Sequence, residues 1–226
     1  KEHSMKNKTA LIIGATGLVG KFCLSYLLNE NAYERVIAIS RKPIGFSHAK
    51  LENIVCDFDQ LEKHQAEIKA DDIYCCLGTT IAVAGSREAF TKVDYTYPLQ
   101  VAEMAKQNGA SQFLLVSALG ADINSKIFYS KVKGELQEAI QKLNFNSTYI
   151  FQPSFLKGFR KEFRLGEKIA LILLPFFEIM MLGPLKKYKS IDAMVVANAM
   201  YLKAQSGSAG LEILSSDQIQ QLWKKK

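Results

Sequence analysis

The feature that most restricts the fold of this chain lies near its start. An apolar, β-branched run over residues 9–13 leads directly into Gly14-Ala15-Thr16-Gly17-Leu18-Val19-Gly20, and residues 19–28 then carry apolar side chains at helical spacing. Glycines at GxxGxxG spacing between a strand and a helix serve a tight turn, close backbone approach by a pyrophosphate, and tight helix–strand packing. The helix start adds unpaired N–H groups and a partial positive charge. In this setting the loop reads as a dinucleotide cradle, with Gly14, Thr16, Gly17, Leu18, Val19 and Gly20 as its candidate residues.

The rest of the chain repeats the same rhythm. Residues 35–39, 53–56, 72–77, 112–117 and 147–151 are short apolar runs that predict strands, and 61–68, 98–107 and 128–143 have helical spacing. Asn108-Gly109 is a helix stop. Strands that are continuously apolar, not alternating, belong in a parallel sheet covered on both faces. Together these predict an α/β, doubly wound parallel-sheet Rossmann fold.

After Pro153 the rhythm changes. Residues 155–185 are rich in Phe, Leu, Arg and Lys, followed by a helix over 191–204, a short strand over 212–214 and a helix over 217–223. We read residues 5–226 as a single NAD(P)-binding domain, with 153–190 as a small C-terminal lid and 191–226 partly returning to the core. Residues 1–4, ahead of Met5, read as a vector remnant. At 226 residues the chain is too short for two domains of ~150 each. The lid is also small for a large sugar-nucleotide substrate.

Hydrophobic residues at 48% and charged residues at 23% exclude disordered and fibrous classes. The net charge of +7 is spread along the chain, and only Lys224-Lys225-Lys226 forms a run, which argues against nucleic acid as a partner. Cys23, Cys56, Cys75 and Cys76 match no zinc spacing, so no metal is expected, and reduced thiols point to a cytoplasmic protein. The apolar stretch over 169–185 is broken by Pro175 and Pro184 and carries Glu178, which argues against stable membrane insertion. Docking on a membrane surface through that stretch and Lys186, Lys187 and Lys189 is a minor alternative.

The end of the second strand selects the cofactor. An acidic residue there would hold the 2′-hydroxyl of NAD, but this chain has Ser40-Arg41-Lys42. The Arg41 fork suits a 2′-phosphate, which favours NADP over NAD. Asp57 and Phe58 stand where such folds contact the adenine, although Asp57 also fits a plain helix cap. Tyr129 and Lys133 form a Tyr-x-x-x-Lys on one helix face, and a lysine cation lowers a phenol pKa towards the range that proton donation to a carbonyl needs. Ser117 ends the fifth strand at the ligand-binding edge, where its hydroxyl is placed to hold a substrate oxygen.

At these residues the chain resembles the atypical, extended-like branch of the short-chain dehydrogenase/reductase superfamily. The likeness extends through Tyr74-Cys75-Cys76-Leu77-Gly78-Thr79-Thr80, Phe90 to Asp94, Val116 to Asp122, Tyr129 to Glu135 and Phe151-Gln152-Pro153-Ser154. The resemblance implies NADP(H) binding with Ser117, Tyr129 and Lys133 as the catalytic triad. It also implies that Lys133 holds the nicotinamide ribose, that Leu77, Gly78 and Thr79 line the cofactor, and that Pro153, Ser154 and Phe155 flank the nicotinamide. Asp94 stands where many members carry Asn, so an Asn-based proton relay is not implied.

The expected activity is therefore hydride transfer to or from a carbonyl or alcohol, with Tyr129 as acid/base. The alternative is an NADP(H)-binding regulatory or scaffold protein without turnover, in which a protein partner takes part. The expected partner is a small-molecule substrate. Phe155, Phe159, Leu165, Phe176 and Phe177 make the lid apolar, while Arg160 and Arg164 are candidates to meet an anionic group. A monomer and a homodimer are both open.

Overall fold

The computed structural model describes residues 8–157 and 183–224. Strands β1 (Lys8–Ile13), β2 (Tyr33–Ser40), β3 (Leu51–Val55), β4 (Asp72–Cys75), β5 (Gln112–Val116) and β6 (Ser147–Gln152) belong to one parallel sheet. Two short strands, β7 (Leu156–Lys157) and β8 (Ile191–Asp192), form a separate two-stranded sheet among the described residues. Strand β9 (Gly210–Ser215) completes a seven-stranded sheet of order β3-β2-β1-β4-β5-β6-β9. The order reverses between β1 and β4, which opens a crevice at their carboxyl ends, where doubly wound sheets bind ligands.

Side chains alternate across the sheet with period two, yet both faces are buried. Ala10 and Ile12 of β1 enter one core, beneath helices α1 (Gly20–Asn29), α6 (Ala193–Ala204) and α7 (Ser216–Lys224). Leu11 and Ile13 enter the other, beneath a 3-10 turn (Phe58–His64) and helices α4 (Tyr97–Gln107) and α5 (Phe128–Lys142). This explains why the strands read as unbroken apolar runs. On the first face Leu24 and Leu27 of α1 meet an α6 whose Ala193, Ala197 and Ala199 are buried, and such small side chains let two helices approach closely.

Several elements differ from the sequence expectation. The helix expected over 61–68 is the 3-10 turn, begun by Asp57 accepting from the Asp59 N–H and interrupted at Gln60. Strand β4 stops at Cys75 and β5 at Val116, so Leu77 and Ser117 lie in the loops beyond them. Ile191–Asp192 is strand, and the helix starts only at Ala193, capped by Asp192. The segment between β4 and α4 was not assigned from the sequence. It holds α2 (Ile81–Ala84) and α3 (Arg87–Thr91), capped by Thr80 and Ser86, and a π turn (Lys92–Thr96) that runs into α4.

Of the expected lid, 158–182 lies outside the described residues, and with it Phe159, Arg160, Leu165, Phe176 and Phe177. Its described parts are β7 and a 3-10 turn (Gly183–Tyr188). Beyond them α6 packs on α1 and β9 joins the sheet beside β6.

The amino edge of the sheet is closed by a buried polar cluster. The Asp72 carboxylate accepts from the Tyr33 hydroxyl at 2.6 Å, Gln112 Nε2 at 2.9 Å and Lys8 Nζ at 3.2 Å. The Tyr74 hydroxyl lies 2.9 Å from that of Tyr33. Burial raises the Asp72 carboxyl above its ordinary value, although the bonds from Tyr33 and Lys8 oppose the shift.

Candidate active site

The glycine loop sits at the opposite, carboxyl edge. Gly14 has φ +78°, and a Cβ on it would lie 2.5 Å from the Cys76 carbonyl carbon. A Cβ on Gly20 would overlap the Gly14 carbonyl oxygen. These two glycines therefore let the turn close on itself and against the end of β4. Thr16 and Gly17 are exposed, Leu18 is half-buried and Val19 is buried. The N-cap of α1, Val19, supplies no side-chain bond, and the first turn holds no acidic residue. The partial positive charge of α1 is thus not met by a carboxylate of its own first turn, as an anion cradle requires.

At the end of β2 the Ser40 hydroxyl donates to the Lys42 carbonyl at 2.7 Å and accepts from Asn53 Nδ2 at 2.9 Å. Arg41 and Lys42 are exposed. Asp57 is exposed and caps the 3-10 turn, whereas the Phe58 ring is buried and packs 5.4 Å from that of Tyr97. Of this pair, then, only Asp57 presents its side chain to solvent. The Tyr97 phenol donates to Asp59 at 2.8 Å. It is pushed up to about 12 by burial, that bond and the charges of Asp59 and Asp57, with Arg41 opposing them.

The centre of the site is a buried ion pair. Lys133 Nζ lies 2.6 Å from Asp94 Oδ1, and both side chains are at most 5% exposed. The other carboxylate oxygen of Asp94 accepts from the Thr79 N–H at 2.8 Å. Asp94 reaches this place from the π turn, a motif that recurs at functional sites. Burial pulls the Lys133 ammonium down, but the charges of Asp94 and Tyr129 outweigh it and hold the group above its ordinary value. A Cβ on Gly78 would lie 3.4 Å from Asp94 Oδ1 and 3.5 Å from Lys133 Nζ, so an exposed glycine covers the pair. One turn before Lys133, Tyr129 packs its ring 5.5 Å from Phe90.

Ser117 is buried and its hydroxyl accepts from Gln137 Nε2 at 2.6 Å. Gln137 Oε1 in turn accepts from Gln152 Nε2 at 3.0 Å. Gln137 was not anticipated from the sequence, and Gln152 stood there only as part of the Phe151-Gln152-Pro153-Ser154 segment. The available signal was spacing, since Tyr129, Lys133 and Gln137 follow one another at i+4 along α5.

Tyr129 and Gln152 open onto a cleft of about 700 Å³. Its walls also include Leu119, Pro153, Ser154, Phe155, Lys187 and Tyr188. The Ser154 hydroxyl donates to the Lys189 carbonyl, which ties the flanking loop to the stretch before β8. The structure therefore brings Tyr129 and residues 153–155 to one cleft, and sets Ser117 just behind its wall. Among the described residues no His, Cys, Asp and Glu group could hold a metal ion, and no helix is long and apolar enough to cross a membrane. The four cysteines are free thiols.

A family model described as the NAD dependent epimerase/dehydratase family matches residues 10–149. The chain belongs to this family. Rattus norvegicus "Protein HTATIP2" is 36% identical over 174 residues, 75% of this chain and 72% of that protein. Candida albicans "Protein FMP52, mitochondrial" is 37% identical over 169 residues, covering 72% and 73%. The likeness carried by the motifs is thereby borne out.

Among solved structures, "MoeE5 in complex with UDP-glucose and NAD" superposes with a TM-score of 0.69 at 13% identity, over 96% of this chain and 81% of that one. UDP-glucose 4-epimerase from Thermotoga maritima gives 0.67 at 14%, over 96% and 82%. This family member thus has an oxidoreductase-type, NAD(P)-binding Rossmann fold.

The expectation of a cytoplasmic protein is corrected. Fungal relatives 34–37% identical are named mitochondrial. Free thiols indicate a reducing compartment, and the cytoplasm is not the only one, so the cysteines could not carry that expectation.

Proposed function

We propose that this family member is an NADP(H)-dependent oxidoreductase acting on a carbonyl/alcohol pair, with Tyr129 as the acid/base. The observation that carries the reading is the buried Lys133–Asp94 pair, 2.6 Å apart, beside Tyr129 at the carboxyl edge of the sheet. Burying two charges costs several kcal/mol per ion before their attraction is counted. A pair at the ligand-binding edge has a use that offsets this cost.

In this reading the Gly14–Gly20 turn and the start of α1 bind the pyrophosphate. Arg41, with Ser40 and Lys42, binds the 2′-phosphate, and Asp57 borders the adenine. Leu77, Gly78 and Thr79 line the cofactor, Lys133 holds its nicotinamide ribose, and Pro153 to Phe155 flank its ring. When bound, NADP(H) supplies or removes hydride at the substrate carbon. Tyr129 transfers its phenolic proton to the substrate oxygen and recovers it in the reverse direction. The Lys133 cation favours the phenolate that remains, and Asp94 fixes the position of that cation. The Ser117 hydroxyl holds the substrate oxygen. The apolar cleft walls suit a hydrophobic small molecule.

One observation favours a second reading, cofactor binding without turnover. The Asp94 carboxylate lies against the cation that would stabilise the phenolate, and it partly cancels that charge. A screen of aldehydes and ketones, following NADPH oxidation, separates the two. Turnover that falls ~10²–10⁴-fold in Tyr129→Phe, with NADPH affinity unchanged, supports the acid/base role. NADPH binding with no carbonyl turned over supports the second reading.

A further inference from the structure

Two amides that the proposed chemistry does not use are bonded in series behind the cleft. Gln152 Nε2 donates to Gln137 Oε1 at 3.0 Å, and Gln137 Nε2 donates to Ser117 Oγ at 2.6 Å. Gln152 borders the cleft, whereas Gln137 and Ser117 are buried. Each amide gives its proton in the same direction, towards Ser117. Bonds in such a series polarise one another, and the last acceptor becomes a better donor. The Ser117 oxygen already receives a proton from Gln137, so its own hydrogen is left to point elsewhere.

We propose that Gln137 and Gln152 are positioning residues that turn the Ser117 hydroxyl into a hydrogen-bond donor. The site then offers that hydrogen to the substrate oxygen on which Tyr129 acts. This inference rests on the oxidoreductase reading, and it adds the residues that set the direction of the Ser117 hydroxyl. An aldehyde or ketone offers lone pairs to Ser117 and takes the Tyr129 proton at the same oxygen. An alcohol oxygen accepts from Ser117 in the same way while its own proton goes to the Tyr129 phenolate, so one serine orientation serves both directions.

Gln137→Glu tests the polarity directly, because a carboxylate only accepts. It forces the Ser117 hydroxyl to donate away from the ligand, while Gln137→Met removes the bond without reversing it. The probe is 4-nitrobenzaldehyde with NADPH, an aromatic aldehyde suited to walls that include Phe155, Leu119 and Tyr188. For Gln137→Glu, kcat/KM falls by about 10–100-fold, mainly through a raised KM, with NADPH affinity unchanged. Gln137→Met falls less. Adding Gln137→Glu to Ser117→Ala causes no further loss.

Wild-type kinetics in Gln137→Glu overturn the proposal, and indicate both amides turned over with Ser117 as acceptor. A loss that adds to that of Ser117→Ala, or that NADPH affinity shares, also overturns it and marks the glutamines as merely structural. If Gln137→Glu fails to fold, Gln152→Ala at the cleft edge replaces it. A several-fold rise in KM that vanishes in the Ser117→Ala background supports the proposal, and an unchanged KM overturns it. If the wild-type protein reduces neither this aldehyde nor any other carbonyl, the oxidoreductase reading itself fails and takes the proposal with it.

Discussion

Asp72 and Asp94 are fully buried carboxylates at opposite edges of one sheet, and their surroundings differ in kind. Asp72 begins β4 and is closed in by Tyr33, Gln112 and Lys8, from β2, β5 and β1. Its partners are the sheet itself, so the cluster pins neighbouring strands together. Asp94 comes from a π turn beyond the other end of β4 and meets one backbone N–H and one buried cation. Gly78, an exposed glycine, lies over that pair, and Tyr129 stands one turn away. Buried charge at the amino edge serves the fold. At the carboxyl edge, where open α/β sheets bind ligands, the same kind of group is available to chemistry.

Substitutions can break or sharpen this contrast. Lys133→Met has the largest expected effect. It leaves Asp94 buried without its cation, which costs roughly 3–5 kcal/mol, and it abolishes turnover. Chemical denaturation and an NADPH oxidation assay check the two parts. A variant as stable as wild type would mean that the pair is not a buried ion pair in solution.

Arg41→Ala comes next and asks what else the carboxyl edge binds. Loss of charge-assisted bonds worth ~1.5–3 kcal/mol weakens NADPH binding by about 10–100-fold and leaves NADH binding nearly untouched. Titration with both nucleotides decides, and equal losses sink the 2′-phosphate assignment.

The smallest effects are in pH dependence. Lys133 is held above its ordinary value in the fold, so its stabilisation is complete below ~10.5 and is lost as pH rises through the folded value. Asp72 is also raised, so its favourable neutral form is complete below ~3.9 and is lost as pH climbs through its own folded value. Wild type should therefore lose stability relative to Lys133→Met only at alkaline pH. Relative to Asp72→Asn it should lose stability from mildly acidic pH upward. Melting curves across both ranges test the signs.

Much of this was legible in the sequence, and the exceptions are physical. Strand–helix alternation and the turn from Gly14 to Gly20 depend on neighbours in the chain, so the first strands, α1 and the Tyr129/Lys133 face could be read directly. Asp94 could not be paired with Lys133, because they lie 39 positions apart and a π turn carries Asp94 inward. Gln137 looked like an ordinary polar position and Gln152 was legible only as part of the Phe151-Gln152-Pro153-Ser154 segment, since nothing local marks an amide that bonds across a helix–strand interface. Phe58 shows the converse: its position suggested an adenine contact, but its ring is in the core. The caps Thr80 and Ser86 were visible signals for α2 and α3, yet helices of 4 and 5 residues carry too little periodicity to stand out.

The central claim is that the pair at the carboxyl edge serves the site and the cluster at the amino edge serves the fold. NADPH-dependent turnover of an aldehyde, measured per folded molecule for Asp94→Asn and Asp72→Asn, tests it most directly. The account predicts a loss of at least 10-fold for Asp94→Asn and wild-type turnover for Asp72→Asn, on the order of one lost charge-assisted bond. Equal losses in the two variants, or full activity in Asp94→Asn, would contradict it.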